Sequence, residues 1–203
     1  LNRAKAEIGF AYGRLNDYYF QTSNMTFPNA TTDHSWYDLF AGSLSIERNS
    51  LDYKQYPISG RKQFLVAQYV TGTEKYMPSP ITDMGSFDRK VHSWLQMKGE
   101  WEQYKTISPY FNLGFMSELV LSSKNLMNNY TASVLQAPAF TPTPHSQIVF
   151  NEAFRANQYV AFGLSPILKF SKLLHFRLDM YGFAPLYEIK KEEVWNNNTY
   201  TAI

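Results

Sequence analysis

The chain of 203 residues has no cysteine, a formal net charge of +2, and 17% aromatic residues that include 15 Tyr and 15 Phe. That length suits one domain or part of one; the missing thiols exclude a disulfide framework and a thiolate metal site, and the near-neutral balance argues against a nucleic-acid partner. Mean hydropathy is negative and no stretch approaches the ~20 apolar residues of a spanning helix, so any membrane crossing must be made by strands.

The chain starts at Leu1, without methionine or signal peptide, and opens inside a strand-like pattern, which reads as a piece of a longer precursor. Ala4, Ala6, Ile8, Phe10 and Tyr12 alternate with Lys5, Glu7, Gly9, Ala11 and Gly13, predicting a first strand to about Phe20. Gln21 to Trp36, rich in Asn, Thr and Pro, reads as a loop. Phe40, Gly42, Leu44 and Ile46 alternate with Ala41, Ser43, Ser45 and Glu47 in a second strand. Tyr56-Pro57-Ile58-Ser59-Gly60 then breaks the ladder and turns the chain. A third strand runs from about Arg61 to Tyr76; its facing stays open, because Phe64 to Tyr69 is apolar on both parities. Met77 to Arg89, with two prolines and a glycine, is a second loop.

The clearest alternation lies in the fourth strand, from Val91 to Gln103 and on to about Ile107. Leu95, Met97, Gly99 and Trp101 take one parity while Gln96, Lys98, Glu100 and Glu102 take the other, so period two puts all the charge on one face. Soluble strands usually run about 5 to 6 residues. A membrane barrel needs about 9 to 11 residues to cross at a tilt, with polar residues turned into the lumen. Ser108-Pro109 makes a short connection to a fifth strand, in which Phe111, Leu113, Phe115, Leu119 and Leu121 oppose Asn112, Gly114, Met116 and Glu118. Lys124 to about Phe154 is the longest irregular stretch, and loops of that length are usually functional or disordered. A sixth strand follows from Tyr159 to Ser171, then a Lys172-Leu173 turn and a seventh strand from Leu174 to Ile189, in which His175, Arg177 and Asp179 share one parity.

Long and short connections alternate along this list, the signature of an up-and-down barrel with extended outer loops and tight inner turns. The expected fold class is therefore all-β, an antiparallel up-and-down transmembrane β-barrel contributing about seven strands to a larger cylinder, since bacterial barrels close with an even number. Glu192 to Ile203 reads as an outer loop leading to a further strand. On this reading Lys98, Glu100, Glu102, Glu118 and Arg177 are lumen-facing charges, and Trp36, Tyr37, Phe40, Tyr76, Trp94, Trp101 and Tyr104 form an aromatic girdle at the lipid–water interfaces.

Asn49-Ser-Leu-Asp-Tyr-Lys-Gln-Tyr-Pro-Ile-Ser-Gly60 resembles the inner turn common in the superfamily of the barrel-assembly protein BamA and the two-partner secretion transporters. More narrowly, Tyr69 to Pro78, Pro138 to His145 and Phe154 to Gly163 resemble the carboxy-terminal barrel of patatin-like phospholipases from Bacteroidetes. The resemblance covers nearly the whole chain through short motifs. It implies a barrel of about sixteen strands, of which this chain supplies the seventh to the thirteenth. It also implies an upstream periplasmic domain, a patatin hydrolase with a Ser-Asp dyad, and a place in the bacterial outer membrane. In that superfamily the longest surface loop folds into the lumen carrying a Val-Arg-Gly-Phe/Tyr tip, whose arginine meets the Asp of an Asp-x-Gly motif. Phe154-Arg155-Ala156-Asn157 stands where the tip should be and Asp179 where the acid should be, so the resemblance implies an Arg155 to Asp179 loop anchor. Ala156, Asn157 and the extra residue in Asp179-Met180-Tyr181-Gly182 depart from the pattern.

No catalytic motif is present: no Gly-x-Ser-x-Gly elbow, no His-x-x-x-His pair, no phosphate loop and no metal-spaced acidic cluster, and no cofactor is implied. The histidines at 34, 92, 145 and 175 are scattered, with His34 and His145 expected as solvated loop residues. Glu100 and Glu102 could be a carboxylate pair for glycoside chemistry; the plainer reading is two lumen charges balanced by Lys98 and Arg177. Asn24, Asn29, Asn129 and Asn197 begin Asn-x-Ser/Thr triplets in expected outer loops, consistent with loops built of Asn and Thr.

The function expected is a non-catalytic module that contacts outer-membrane lipid and anchors, or passes across, a fused upstream patatin-like lipid acyl hydrolase. Whether two such barrels associate as a homodimer is left open. The alternatives are an outer-membrane protein assembly barrel and a soluble secreted carbohydrate-binding β protein.

Overall fold

A computed structural model describes residues 4–19, 32–78, 88–124, 130–171, 174–187 and 189. Among them the chain forms one antiparallel sheet of eight strands: β1 (Ala4–Tyr19), β2 (Asp33–Asn49), β3 (Gly60–Met77), β4 (Asp88–Ser108), β5 (Phe111–Ser122), β6 (Gln158–Lys169), β7 (His175–Arg177) and β8 (Met180–Tyr187). Each strand through β6 pairs with the next in chain order, and β7 and β8 both pair with β6. The architecture is thus the expected all-β up-and-down one. The sheet is open, with β1 at one edge and β7 and β8 at the other.

The second, third and fourth strands run longer than the sequence reading. β1 to β4 contain 16, 17, 18 and 21 residues, far beyond an ordinary soluble strand. β2 begins at Asp33, so the expected loop to Trp36 ends earlier and His34 lies in the sheet. The expected seventh strand is broken at Leu178–Asp179. Opposite the break stands Pro166 of β6, which has no N–H to donate; its carbonyl still accepts from Leu178 N at 3.1 Å.

The register settles which side each residue takes. Phe64↔Glu100 and Val66↔Lys98 place the even residues of β3 with the charged parity of β4, while Leu65, Ala67 and Tyr69 take the other face. One face, here called bare, carries rows such as Ile8↔Leu44↔Ala67↔Met97↔Leu121. Its apolar side chains stand open: Phe10 is 88% exposed and Phe40 58%. The other face is covered over much of β2 to β8 and open along β1.

Two segments cover it. At the long-loop end, the stretch expected to be irregular contains a helix α1 (Tyr130–Leu135) and a 3₁₀ turn (Glu152–Phe154). Ala139 and Arg155 form a bridge, with Phe140 N donating to Phe154 O at 2.9 Å. The clasp sets Phe140 against the rings of Tyr159, Tyr181 and Phe183, and buries Val120, Ala156 and Ala161 completely or nearly so. At the short-turn end, residues 50–59 form a rigid turn in which Asp52 Oδ1 accepts from the backbone N–H groups of Tyr53, Ile58 and Ser59. Gly60 closes it at φ 100, a left-handed conformation suited to glycine.

The expected Lys172-Leu173 turn, the tail Glu192 to Ile203, and Asn24, Asn29, Asn129 and Asn197 lie outside the described residues.

Candidate functional site

The covered face holds most of the buried ionisable side chains in three groups, each made by residues of like parity on nearby strands. Nearest the long-loop end, Tyr37 of β2 and His92 of β4 flank Glu74 of β3. Tyr37 donates to Glu74 Oε1 at 3.1 Å and His92 Nε2 lies 2.7 Å from Oε2, with Glu74 fully buried. A carboxylate so enclosed is tolerable only because charged or polar partners meet its oxygens. Just above it, Lys124 stands 5.2 Å over the Trp94 ring, and its ammonium has no hydrogen-bond partner among the described residues. Burial pushes the Lys124 amine down to about 8, and the negative field of Glu74 opposes that fall.

In the middle, Lys98 pairs with Glu118 at 3.0 Å, and Tyr159 donates to the same carboxylate at 2.5 Å. Lys62 pairs with Glu100 at 2.7 Å. Toward the short-turn end, Arg177 is a hub. It donates to Asp179 at 2.7 Å, to Tyr104 Oη at 3.0 Å, to Ser165 Oγ at 3.3 Å and to the carbonyl of Pro57 at 2.8 Å. Tyr104 in turn donates to Glu102 at 2.7 Å, and Asn112 holds Ile58 O at 2.7 Å. The β2–β3 turn is thereby tied to β5 and β7, strands well removed from it in sheet order.

The predicted lumen charges Lys98, Glu100, Glu102, Glu118 and Arg177 thus all lie on the covered face, although with different partners: Glu100 is met by Lys62, not Lys98. The Arg155 to Asp179 anchor is not formed. Arg155 donates to the carbonyls of Leu135 and Ala137 at 2.9 and 3.0 Å, inside its own loop, and stacks over Phe150. Asp179, near the other end of the sheet, is taken by Arg177 and Ser165. Of the aromatic girdle, Trp36, Phe40 and Trp101 lie on the bare face, whereas Tyr37, Tyr76, Trp94 and Tyr104 face the covered side, where Tyr76 donates to Asp33. His34 is not solvated: it is 8% exposed, stacked on Tyr18, in tilted contact with Trp36 and bonded to Asn16 at 2.9 Å.

Lys124 apart, the buried charges of this face are neutralised in pairs. The carboxylates of Glu74, Glu100, Glu102, Glu118 and Asp179 are engaged by cations, phenols or imidazole, which suits holding covering segments in place. Between the Pro138 segment and the wall of β1 to β4 remains a space of about 340 Å³, bordered by Gln68, Gln96, Gln136 and Trp94, that offers amides to water or neutral polar solutes. Sequence reasoning missed Glu74, His92, Lys62, Tyr159 and Lys124. Parity marked His92, which shares the side of Lys98; Glu74 and Lys62 needed the β3–β4 register, and the last two the fold of the long loop. Among the described residues, no group of His, Asp and Glu could hold a metal ion. No protein-family model, curated protein or solved structure matches the chain significantly.

Proposed function

We propose that this chain forms wall and internal plug of a bacterial outer-membrane β-barrel, a non-catalytic module that anchors or passes an upstream patatin-like lipid acyl hydrolase. One observation carries the membrane reading. The face that bears the long apolar rows is the one left open, while the face bearing the buried and half-buried ion pairs of β3 to β7 is the one onto which the chain's own loop and turn fold. In water that arrangement is inverted, because exposing rows from Phe10 to Leu121 forfeits the hydrophobic term that stabilises folding. Against hydrocarbon it is the favourable one. A soluble sandwich would need a second sheet over those rows, and no such sheet exists among the described residues.

The strands β1 to β4 are long enough to cross at a tilt, and the backbone groups at the edges of β1 and β8 are where further strands would complete the cylinder. The fused hydrolase is supported by the resemblance of Tyr69 to Pro78, Pro138 to His145 and Phe154 to Gly163 to patatin-associated barrels.

The test is fractionation of the native protein. It is expected to sediment with outer membranes, to need detergent for extraction, and to aggregate when detergent is removed; a stable monomer in plain buffer overturns the reading. The upstream part of the reading frame should carry a Gly-x-Ser-x-Gly elbow. Periplasmic domains without one would point to an assembly barrel instead.

A further inference from the structure

The bare face is interrupted where Gly99 leaves no side chain. Around that gap a groove of about 740 Å³ crosses the sheet from β1 to β6, walled by Ile46, Leu65, Trp101, Leu119 and Phe162; Glu100 and Glu118 also border it, but their side chains turn to the opposite face, where Lys62 and Lys98 hold them. Arg48 stands at its β2 end.

The register gives the groove a direction. One row of neighbours runs Arg48↔Gln63↔Trp101↔Ser117↔Phe162. Arg48 adjoins Asn49, the last residue of β2 before the short turn, whereas Trp101 and Phe162 lie inside β4 and β6, well away from their short-turn ends. A path along the row therefore starts at the level of the short turns and descends into the apolar belt. The charges follow the same direction. Arg48 shares its end of the bare face with Arg61 and Lys105, and none of the three meets a carboxylate among the described residues. On the strands' bare face the one described acid is Asp38, toward the long-loop end and bound to Arg14.

We propose that this groove is a binding site for one anionic glycerophospholipid from the leaflet on the short-turn side, its phosphate on Arg48 and an acyl chain laid over Gly99 between Leu65, Trp101, Leu119 and Phe162. A guanidinium at the mouth of an apolar groove fits a phosphodiester, which accepts paired N–H donors. The cluster of unpaired cations adds attraction for a negative headgroup. The site rests on the membrane reading above, since its occupant reaches it only from a bilayer.

The test uses the full-length protein in phosphatidylcholine nanodiscs doped with a little phosphatidylglycerol that carries a diazirine in one acyl chain. After photolysis, adducts mapped by mass spectrometry are expected to concentrate at Leu65, Trp101, Leu119 and Phe162 over Phe10 and Leu95, which are equally apolar and open. Unlabelled phosphatidylglycerol should compete them away, and extra phosphatidylcholine should not. Arg48→Ala should reduce groove labelling about fivefold, and Gly99→Leu should abolish it, both without change at Phe10 and Leu95. Even labelling around the belt, or groove labelling indifferent to both substitutions, overturns the site while leaving the membrane reading intact. A protein that stays in buffer and never enters the nanodisc overturns both.

Discussion

The ring of Tyr104 occupies the space that a side chain at position 114 would need. A Cβ built on Gly114 overlaps the ring's Cδ1 and Cε1 atoms, so glycine is what lets the phenol cross from β4 over β5 toward Arg177. Gly114→Val is expected to displace Tyr104, separate it from Glu102 and Arg177, and cost about 2–3 kcal/mol by overpacking and lost hydrogen bonds. Thermal unfolding in detergent measures it. Adding Tyr104→Ala should recover much of the loss; a double mutant no better than Gly114→Val would show that the ring is not what position 114 must avoid.

Arg177 holds the β2–β3 turn through the carbonyl of Pro57 and lies 5.6 Å from the Tyr56 ring. Arg177→Met should free residues 50–59 and leave Asp179 without its cation, a loss of about 3 kcal/mol for a largely buried pair. Trypsin cleavage at exposed Lys54 reports the turn directly. Arg177→Lys should protect Lys54 only weakly, because one ammonium cannot span Pro57, Tyr104 and Asp179 together. Full protection by lysine would refute the multi-point clamp.

Arg155 and Asp179 serve separate structures, so they should behave independently. Arg155→Ala is expected to loosen the clasp at Phe140 and Phe154, and Asp179→Ala to weaken the Arg177 hub. Their unfolding costs should add to within ~0.5 kcal/mol. Charge reversal at both positions should rescue nothing. Measurable coupling would restore the anchor that the superfamily resemblance implies.

What the sequence discloses here depends on how sharply polarity divides between parities. From Leu95 to Glu102 in β4 the division is complete, and Lys98, Glu100 and Glu102 all lie where alternation puts them. In β3 the run Phe64 to Tyr69 is apolar on both sides, so the facing of Glu74 and Lys62 emerges only once the register against β4 is known. The aromatic residues mislead for a different reason. Trp94 and Tyr104 share the parity of Lys98, which already assigns them to the polar face; residue type and nearness to a strand end outweighed that simpler rule. Partner identity is less legible still. The β3–β4 register sets Lys62 opposite Glu102, yet it reaches diagonally to Glu100, and Arg155 finds backbone carbonyls that leave no mark in any side-chain pattern.

Lys124 should make stability rise with pH on the alkaline side of neutrality. Its folded pKa is about 8 against 10.5 for an ordinary lysine, so between those values the unfolded chain binds more protons than the folded one. Below about 8 both states are charged and burial costs the fold up to about 3 kcal/mol; the cost is relieved as pH climbs toward 10.5. Urea unfolding of the wild type between pH 7.5 and 9.5, values chosen to bracket the titration, should therefore show rising stability. Lys124→Met should be more stable than wild type at the lower pH and should flatten the slope. A slope unchanged by the substitution would assign it to other groups.

Adjacent residues of β4 offer the most direct trial of the two faces. Met97 stands 42% exposed in the row between Ala67 and Leu121, while Gln96 beside it turns to the covered side and borders the amide-lined space. If the bare face meets hydrocarbon, Met97→Arg places a cation in the bilayer and should cost about 2–4 kcal/mol, most at the midplane. The same change at an open site in water would usually stay within about 0.5 kcal/mol. Gln96→Arg, entering the amide-bordered space on the polar side, should cost little. Urea unfolding of each variant in phospholipid vesicles gives the comparison. A neutral Met97→Arg together with a damaging Gln96→Arg would reverse the assignment, making the covered side the protein's dry core and the rows from Ile8 to Leu121 an ordinary solvent surface.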